Sequence, residues 1–180
     1  MNSINTDNLT VEESARHLAS FAIDRTDLKS LMDAIPKADD INLTTIEYEL
    51  GVLKILSVGW GFSYFMAPTD HKKGPLTDFY WQMIREVSQN ISILTETTTG
   101  KKIDYFNILK ERLEVYVTRM KEGPEGVEDP AIVMGPVFAE TCGVPGNAAA
   151  VLTGTKMFTL TLGAVKEYLN TVTIQDIKLN

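Results

Sequence analysis

The fold is decided by an unbroken apolar stretch from Leu50 to Met66, which reads LGVLKILSVGWGFSYFM. Its only charged residue is Lys54. A surface helix carries a polar face, whereas a helix that is apolar all round is enclosed by other helices or by a membrane. We expect a central helix buried by its neighbours. Gly59 and Gly61, on either side of Trp60, would permit a close helix crossing or mark a kink.

A membrane span is the alternative interpretation of the same stretch. Its length lies at the lower edge of the roughly 20 residues that cross a bilayer. Lys54, Ser57 and Ser63, together with the two glycines, oppose that interpretation. The pattern therefore favours a buried helix over membrane contact.

Helical signals also precede the apolar stretch. Thr10–Glu13 has the sequence of a capping box, in which the Thr side chain and the Glu side chain each bond a backbone N–H near the helix start. A short helix is predicted over 26–35, ended by Pro36. A second box, Thr44–Glu47, is predicted to begin the central helix.

Two further helices follow the stretch, each with apolar residues spaced alternately by four and three positions, as in a coiled coil. The first is predicted over 76–97 and ends at Gly100, and the second is capped by Asp104. Their apolar seams are Tyr80, Ile84, Val87, Ile91 and Leu94, then Tyr105, Leu109, Leu113, Tyr116 and Met120.

The pattern changes at Gly123. Residues 123–146 hold five glycines and four prolines, which predicts turns and irregular chain, with Pro136 interrupting any helix that begins near Pro130. Asn147 is expected to cap a last long helix. Its threonines and the strand-like alternation of Met157–Leu162 weaken that prediction, and 172–179 also has strand character.

These elements predict an all-α fold, a helical bundle of about five to seven helices with a possible small β element near the C-terminus. We expect one domain over 1–180. Within it, 10–122 carries well-patterned helices, 123–146 is the irregular Gly/Pro-rich segment, and 147–180 forms the last helix and a tail.

Negative charge is concentrated in the first fifty residues. They hold ten acids and four bases, which account for −6 of the net charge of −7. Binding to a phosphate backbone needs clustered lysine and arginine, so no nucleic-acid partner is expected. The acidic third is either a solvated surface or a docking face for a basic partner. For the second case Asp39, Asp40 and Glu47 are the candidate partner-binding residues.

Motifs for catalysis, metal ions and cofactors are absent from the sequence. The chain has one cysteine, Cys142, and two histidines, too few for a typical zinc site unless nearly all converge. Glycine-rich phosphate loops and nucleophile elbows are missing. We expect Cys142 to act as a small buried apolar residue. Residues 1–10 lack the features of a signal peptide, so the cytoplasm is the expected location.

The turn that contains His71, Lys72 and Lys73 combines cations with nearby aromatic residues. If the helices on either side pair antiparallel, these side chains gather at one end of the bundle and suit an anionic or aromatic ligand. The alternative is lysines complementing a helix end, beside aromatic core packing. The candidate ligand-binding residues are Trp60, Tyr64, His71, Lys72, Lys73 and Trp81.

The leading functional hypothesis is a non-catalytic helical protein that acts through protein–protein contact, as a homodimer, an adaptor or an inhibitor of a basic partner. It follows from the seams, the acidic third and the missing motifs. The alternative is a small-molecule-binding protein or an unusual enzyme. Its site would lie between helices, near 123–146 or the His71 turn.

Overall fold

The computed structural model describes residues 8–36, 41–122 and 130–175, which form seven helices and one two-stranded parallel sheet. This confirms the predicted all-α bundle. The helices are α1 (Val11–Ile23), α2 (Thr26–Asp33), α3 (Leu43–Phe65), α4 (Lys73–Thr99), α5 (Tyr105–Glu122), α6 (Ala131–Thr141) and α7 (Ala148–Thr171). The strands are β1 (Asn8–Leu9) and β2 (Thr173–Ile174), with Asn8 opposite Thr173.

Helix α3 contacts all six of the other helices. Contact on every side explains why this helix has no polar face, and the prediction of a buried central helix is confirmed. Among the described helices, α7 is the one that length and composition would allow to cross a membrane. It packs against α3 and α6.

The two glycines around Trp60 allow close contact with two different helices. A Cβ atom on Gly59 would lie 2.8 Å from the Trp81 ring in α4, and one on Gly61 would lie 3.0 Å from Val165 in α7. A larger residue at either position would push a neighbouring helix away. The predicted role of these glycines in close crossings is therefore confirmed.

The charged side chain of Lys54 is fully buried, but it has hydrogen-bonding partners in the segment where α1 ends and α2 begins. Its Nζ atom donates to Asp27 Oδ2 at 3.0 Å and to the Asp24 carbonyl oxygen at 2.8 Å. The same atom lies 4.3 Å from the centroid of the Phe21 ring. A buried ammonium group needs such partners. The ion pair with Asp27 therefore attaches the start of α2 to the middle of α3, and the hydrogen bond to Asp24 attaches the turn before it.

The prediction of irregular chain over 123–146 is wrong for the part that forms α6. Pro136 lies inside this helix, where it removes one backbone hydrogen bond. The carbonyl group that loses its partner belongs to Ile132, a residue that is 63% exposed and accessible to water. Packing of the opposite face against α7 outweighs the local cost. Residues 123–129 lie outside the described part of the chain.

Helix starts follow the predictions at three caps and depart from them in α3 and in α4, which begins at Lys73 rather than at the predicted residue 76. The Thr10 capping box and the caps at Asp104 and Asn147 are present. The predicted box at Thr44–Glu47 is wrong, because α3 begins earlier, at Leu43. Its cap is Asn42, whose side chain accepts from the Thr45 N–H at 3.1 Å. Asparagine is a stronger N-cap than threonine, which explains the shift.

The threonine-rich last segment is helical, as the leading prediction stated. Thr153 and Thr155 each turn the side-chain hydroxyl back to the carbonyl oxygen four residues earlier, at 2.7 and 2.9 Å. This satisfies the hydroxyls without a strand partner. Met157, Phe158 and Thr161 are buried, a helical rather than an alternating pattern.

The α4 seam is covered at one end and exposed at the other. Tyr80 and Ile84 are buried, Val87 is half-buried, and Ile91 and Leu94 are 45% and 62% exposed. The sequence spacing is regular throughout, so burial does not follow from the seam itself. Its distal half is an apolar surface beside the site described next.

Candidate functional site

A groove of about 320 Å³ opens where the end of α1 and the start of α2 meet α3, α4 and α5. We call it the Tyr48 groove, after the tyrosine at its edge. Its walls are apolar and its edge is polar. The wall residues are Ala22, Leu28, Val52, Ile55, Ile84, Val87 and the buried Ser88, and the edge residues are Asp24, Arg25, Glu47, Tyr48 and Tyr105.

Gly51 of α3 leaves space in this groove. A Cβ atom built there would meet only Leu28, at an ordinary contact distance of 3.8 Å. Val52 and Ile55, on adjoining parts of the same helix, complete the α3 wall. The groove therefore exists partly because the most apolar helix carries a glycine at this point.

An ion pair and two tyrosines shape the edge. Arg25 Nη2 lies 2.5 Å from Glu47 Oε1, which connects the α1–α2 turn to the first turns of α3. The rings of Tyr48 and Tyr105 are 6.2 Å apart. Burial, followed by the nearby Glu49 charge, raises the pKa of Tyr48 to about 12. A tyrosine is un-ionised at neutral pH even at its ordinary pKa of 10.0, so the Tyr48 hydroxyl group can donate a hydrogen bond there.

An ion pair between the buried Glu49 and the half-buried Arg112 lies next to Tyr48 and joins α3 to α5. Glu49 is 3% exposed, and Arg112 donates to it from Nε at 2.9 Å and from Nη2 at 2.7 Å. This fork geometry is the strong form of an arginine–carboxylate contact. It fixes α5, and with it Tyr105, at the groove edge.

Tyr116 and Cys142 extend this polar group towards α6. Both are buried, and the Tyr116 hydroxyl group has no hydrogen-bond partner among the described residues. Burial, and next the negative charge of Glu49, raises the pKa of Cys142 to about 12. The predicted burial of Cys142 is confirmed. An un-ionised thiol is a poor nucleophile, so this cysteine is not activated for catalysis.

This leads to a prediction about thiol reactivity. Burial raises the pKa of Cys142 from its ordinary value of 9.0 to about 12, so the folded protein should hold roughly 1000-fold less thiolate than an unfolded chain at about pH 8. We expect 5,5′-dithiobis(2-nitrobenzoic acid) to react at least about 100-fold faster in urea than in buffer. Equal rates would show that the thiol is accessible and ionised.

The raised pKa of Cys142 also makes the stability of the protein depend on pH. A thiol whose pKa is raised by folding contributes stability below about pH 9, and this contribution is lost as the pH rises towards 12. The burial of Tyr48 acts in the same direction between about 10 and 12. The free energy of unfolding should therefore fall over this range.

The ligand candidates near the His71 turn are divided among several contacts. Trp81 packs on Gly59, whereas Trp60 meets the edge of Phe158 in α7 and Tyr64 is 64% exposed. Lys73 Nζ donates to the Met66 carbonyl oxygen at 3.2 Å, at the end of α3. These contacts match the alternative of a capped helix end with aromatic packing.

His71 is exposed, and Lys72 lines a shallow hollow together with Lys166. Ligand binding at this turn stays a prediction. Among the partner-binding candidates, Glu47 lies at the groove edge, while Asp39 and Asp40 lie outside the described residues.

Sequence reasoning did not predict the Tyr48 groove. Gly51, a glycine within the apolar helix, is the one local signal, because the regular α4 seam does not show which of its residues are covered. This signal does not place the α1–α2 turn beside α5, which is what encloses the space.

No family model, no curated protein and no solved structure matches this chain. Within 8–36, 41–122 and 130–175 there is no group of three or more His, Cys, Asp or Glu side chains that could hold a metal ion. The Tyr48 groove is therefore the feature of the described residues that best indicates a function.

Proposed function

We propose that this protein is a non-catalytic binding protein, and that its Tyr48 groove takes up apolar side chains of a partner protein. The observation that carries the proposal is an apolar groove that is open to solvent and continuous with exposed apolar residues. Ile23 and Ile91 both line the groove and are 42% and 45% exposed. Apolar side chains exposed beside a concave surface are typical of interaction sites.

The shape of the site supports a protein partner. Beyond the groove the apolar surface continues along α4 to Leu94, which is 62% exposed. A partner helix that lies along this surface would cover both the groove and the exposed apolar residues of α4. The un-ionised Tyr48 hydroxyl group at the edge is suited to hydrogen bonding. As part of this proposal, the protein acts in the cytoplasm.

A small-molecule ligand is the second candidate, because the volume of about 320 Å³ lies at the lower end of the range for ligand pockets. Such a ligand would fill the groove but leave Leu94 exposed. A partner protein would protect both from solvent.

The proposal can be tested by filling the groove with a larger side chain at Gly51. We expect the neutral probe N-phenyl-1-naphthylamine to fluoresce on binding the wild-type protein, and G51L to weaken this binding at least about ten-fold. The added side chain has room at Gly51, so the protein should stay folded. The measurement is a fluorescence titration, with circular dichroism to check folding.

The matched control is G163L in α7. Nothing lies within 4 Å of a Cβ atom built at Gly163, which is exposed and does not line the groove. This variant should bind the probe as the wild type does. Unchanged binding by G51L would contradict the proposal.

A further inference from the structure

A second hollow adjoins the Tyr48 groove. It lies between α1 and α4, has a volume of about 490 Å³, and shares Ile23, Ile84 and Val87 with the groove. These three residues therefore separate two concave regions of one continuous surface. A ligand larger than a single side chain can contact both.

Two of the shared residues, Ile84 and Val87, begin an apolar stripe along α4. Ile84, Val87, Ile91 and Leu94 are spaced by three, four and three positions, which places them on one face over about 15 Å. Exposure increases along the stripe, from buried at Ile84 to 62% at Leu94. A partner helix of about three turns has the length and periodicity to cover it.

The charges around both hollows are mainly acidic. Four acids and two bases line them, namely Glu12, Asp24, Glu47, Glu86, Arg16 and Arg25. Both arginines are already paired, Arg16 with Glu12 at 3.1 Å and Arg25 with Glu47 at 2.5 Å. Two carboxylates of the lining, those of Asp24 and Glu86, are left without a cation from these arginines.

Hydrogen bonds hold these two carboxylates in place. Asp24 Oδ1 accepts from the Thr26 hydroxyl group at 2.9 Å, and Glu86 Oε1 accepts from Gln82 Nε2 at 3.1 Å. The Thr26 contacts lower the pKa of Asp24, so that it is ionised at neutral pH. Lys54 lies close to Asp24, but its ammonium group is fully buried and already paired with Asp27, so both carboxylates present a negative charge beside the apolar stripe.

We infer that the occupant of this surface is a basic amphipathic helix of a partner protein. Its apolar side chains would lie on the α4 stripe and in the Tyr48 groove, and its lysine or arginine side chains would face Asp24 and Glu86. This inference rests on the proposed function of the groove. A second copy of the chain fits less well, because its net charge of −7 would set acid against acid. An anionic lipid surface is disfavoured for the same reason.

Two fluorescein-labelled helical peptides test the charge requirement. Both carry leucines at alternating spacings of three and four, and the remaining positions are mainly lysine in one and mainly glutamate in the other. By fluorescence anisotropy we expect the lysine peptide to bind at least about ten-fold more tightly, and more weakly as salt is added. The double variant D24N/E86Q should weaken binding of the lysine peptide several-fold, and circular dichroism checks that it stays folded.

The matched control, E111Q/E167Q, removes the same charge from exposed positions outside both hollows and should bind the lysine peptide normally. Equal binding of the two peptides, or binding of neither, overturns the inference. If G51L still weakens probe binding in that case, the groove function stands without the basic helix. If G51L has no effect on the probe either, both proposals fall.

Discussion

Replacing Gly135 with alanine is expected to lower the free energy of unfolding by about 3 kcal/mol. Gly135 lies where α6 crosses α7, and a Cβ atom there would be 2.5 Å from the Val151 carbonyl oxygen and in contact with Thr155 Oγ1. A backbone carbonyl cannot rotate away as a flexible side chain can, so the two helices would have to separate. The higher helix propensity of alanine, about 1 kcal/mol, offsets only part of this cost.

Urea unfolding followed by circular dichroism measures the effect, and G163A is its control. Both substitutions change glycine to alanine within a helix, but Gly163 is exposed and has no atom within 4 Å of the added Cβ. This control should stabilise the protein by up to about 1 kcal/mol. G154A should act like G135A, since its Cβ atom would lie 2.6 Å from Phe138 Cβ. Wild-type stability for G135A would mean that α6 and α7 are farther apart.

The second large effect is expected at the buried ion pair. R112M should lower the free energy of unfolding by about 3 kcal/mol, because it leaves the Glu49 carboxylate buried without its cation. The loss comes from the abandoned charge rather than from the pair itself. The double variant E49L/R112M removes both charges and should recover most of the stability, to within about 1 kcal/mol of the wild type.

R119M supplies the control on the same helix. Arg119 pairs with Glu140, but both side chains are more than a third exposed, so this substitution should cost less than about 1 kcal/mol. If the double variant is as unstable as R112M, the loss must be assigned to the packing of the arginine stem. Chemical unfolding of all four proteins in one buffer decides between these outcomes.

The sequence was most informative where one local signal and one packing requirement agreed. The apolar run containing Lys54 predicted a buried helix, and α3 is enclosed because six helices surround it. The Thr10 box and the caps at Asp104 and Asn147 depend on three or four consecutive residues, so they could be predicted without tertiary structure.

Helix α6 was missed because local propensity was the wrong guide there. Pro136 and Gly135 both disfavour an isolated helix, but Gly135 is what allows the close approach to α7, and Pro136 lies on the exposed side. The benefit appears only when the partner helix is present. A sequence pattern confined to 123–146 cannot contain that information.

The candidate site was missed for a similar reason. Glu47 was selected on charge alone, and its contact with Arg25 depends on how the α1–α2 turn folds back onto α3. The exposure of Ile91 and Leu94 could not be predicted either, because their spacing is the same as that of the buried Tyr80 and Ile84. Which part of a seam is covered is decided by the lengths and positions of the other helices.

The parallel sheet has a consequence for how the protein is made. Leu9 pairs with Ile174, and Gln175 N donates to the Leu9 carbonyl oxygen at 2.8 Å. On the ribosome β1 emerges before any of the seven described helices, and β2 emerges after all of them. The sheet therefore cannot form until α7 has been synthesised, and its closure spans nearly the whole described chain. We expect its amide protons to gain protection from exchange late in folding, after the helices around α3 have assembled.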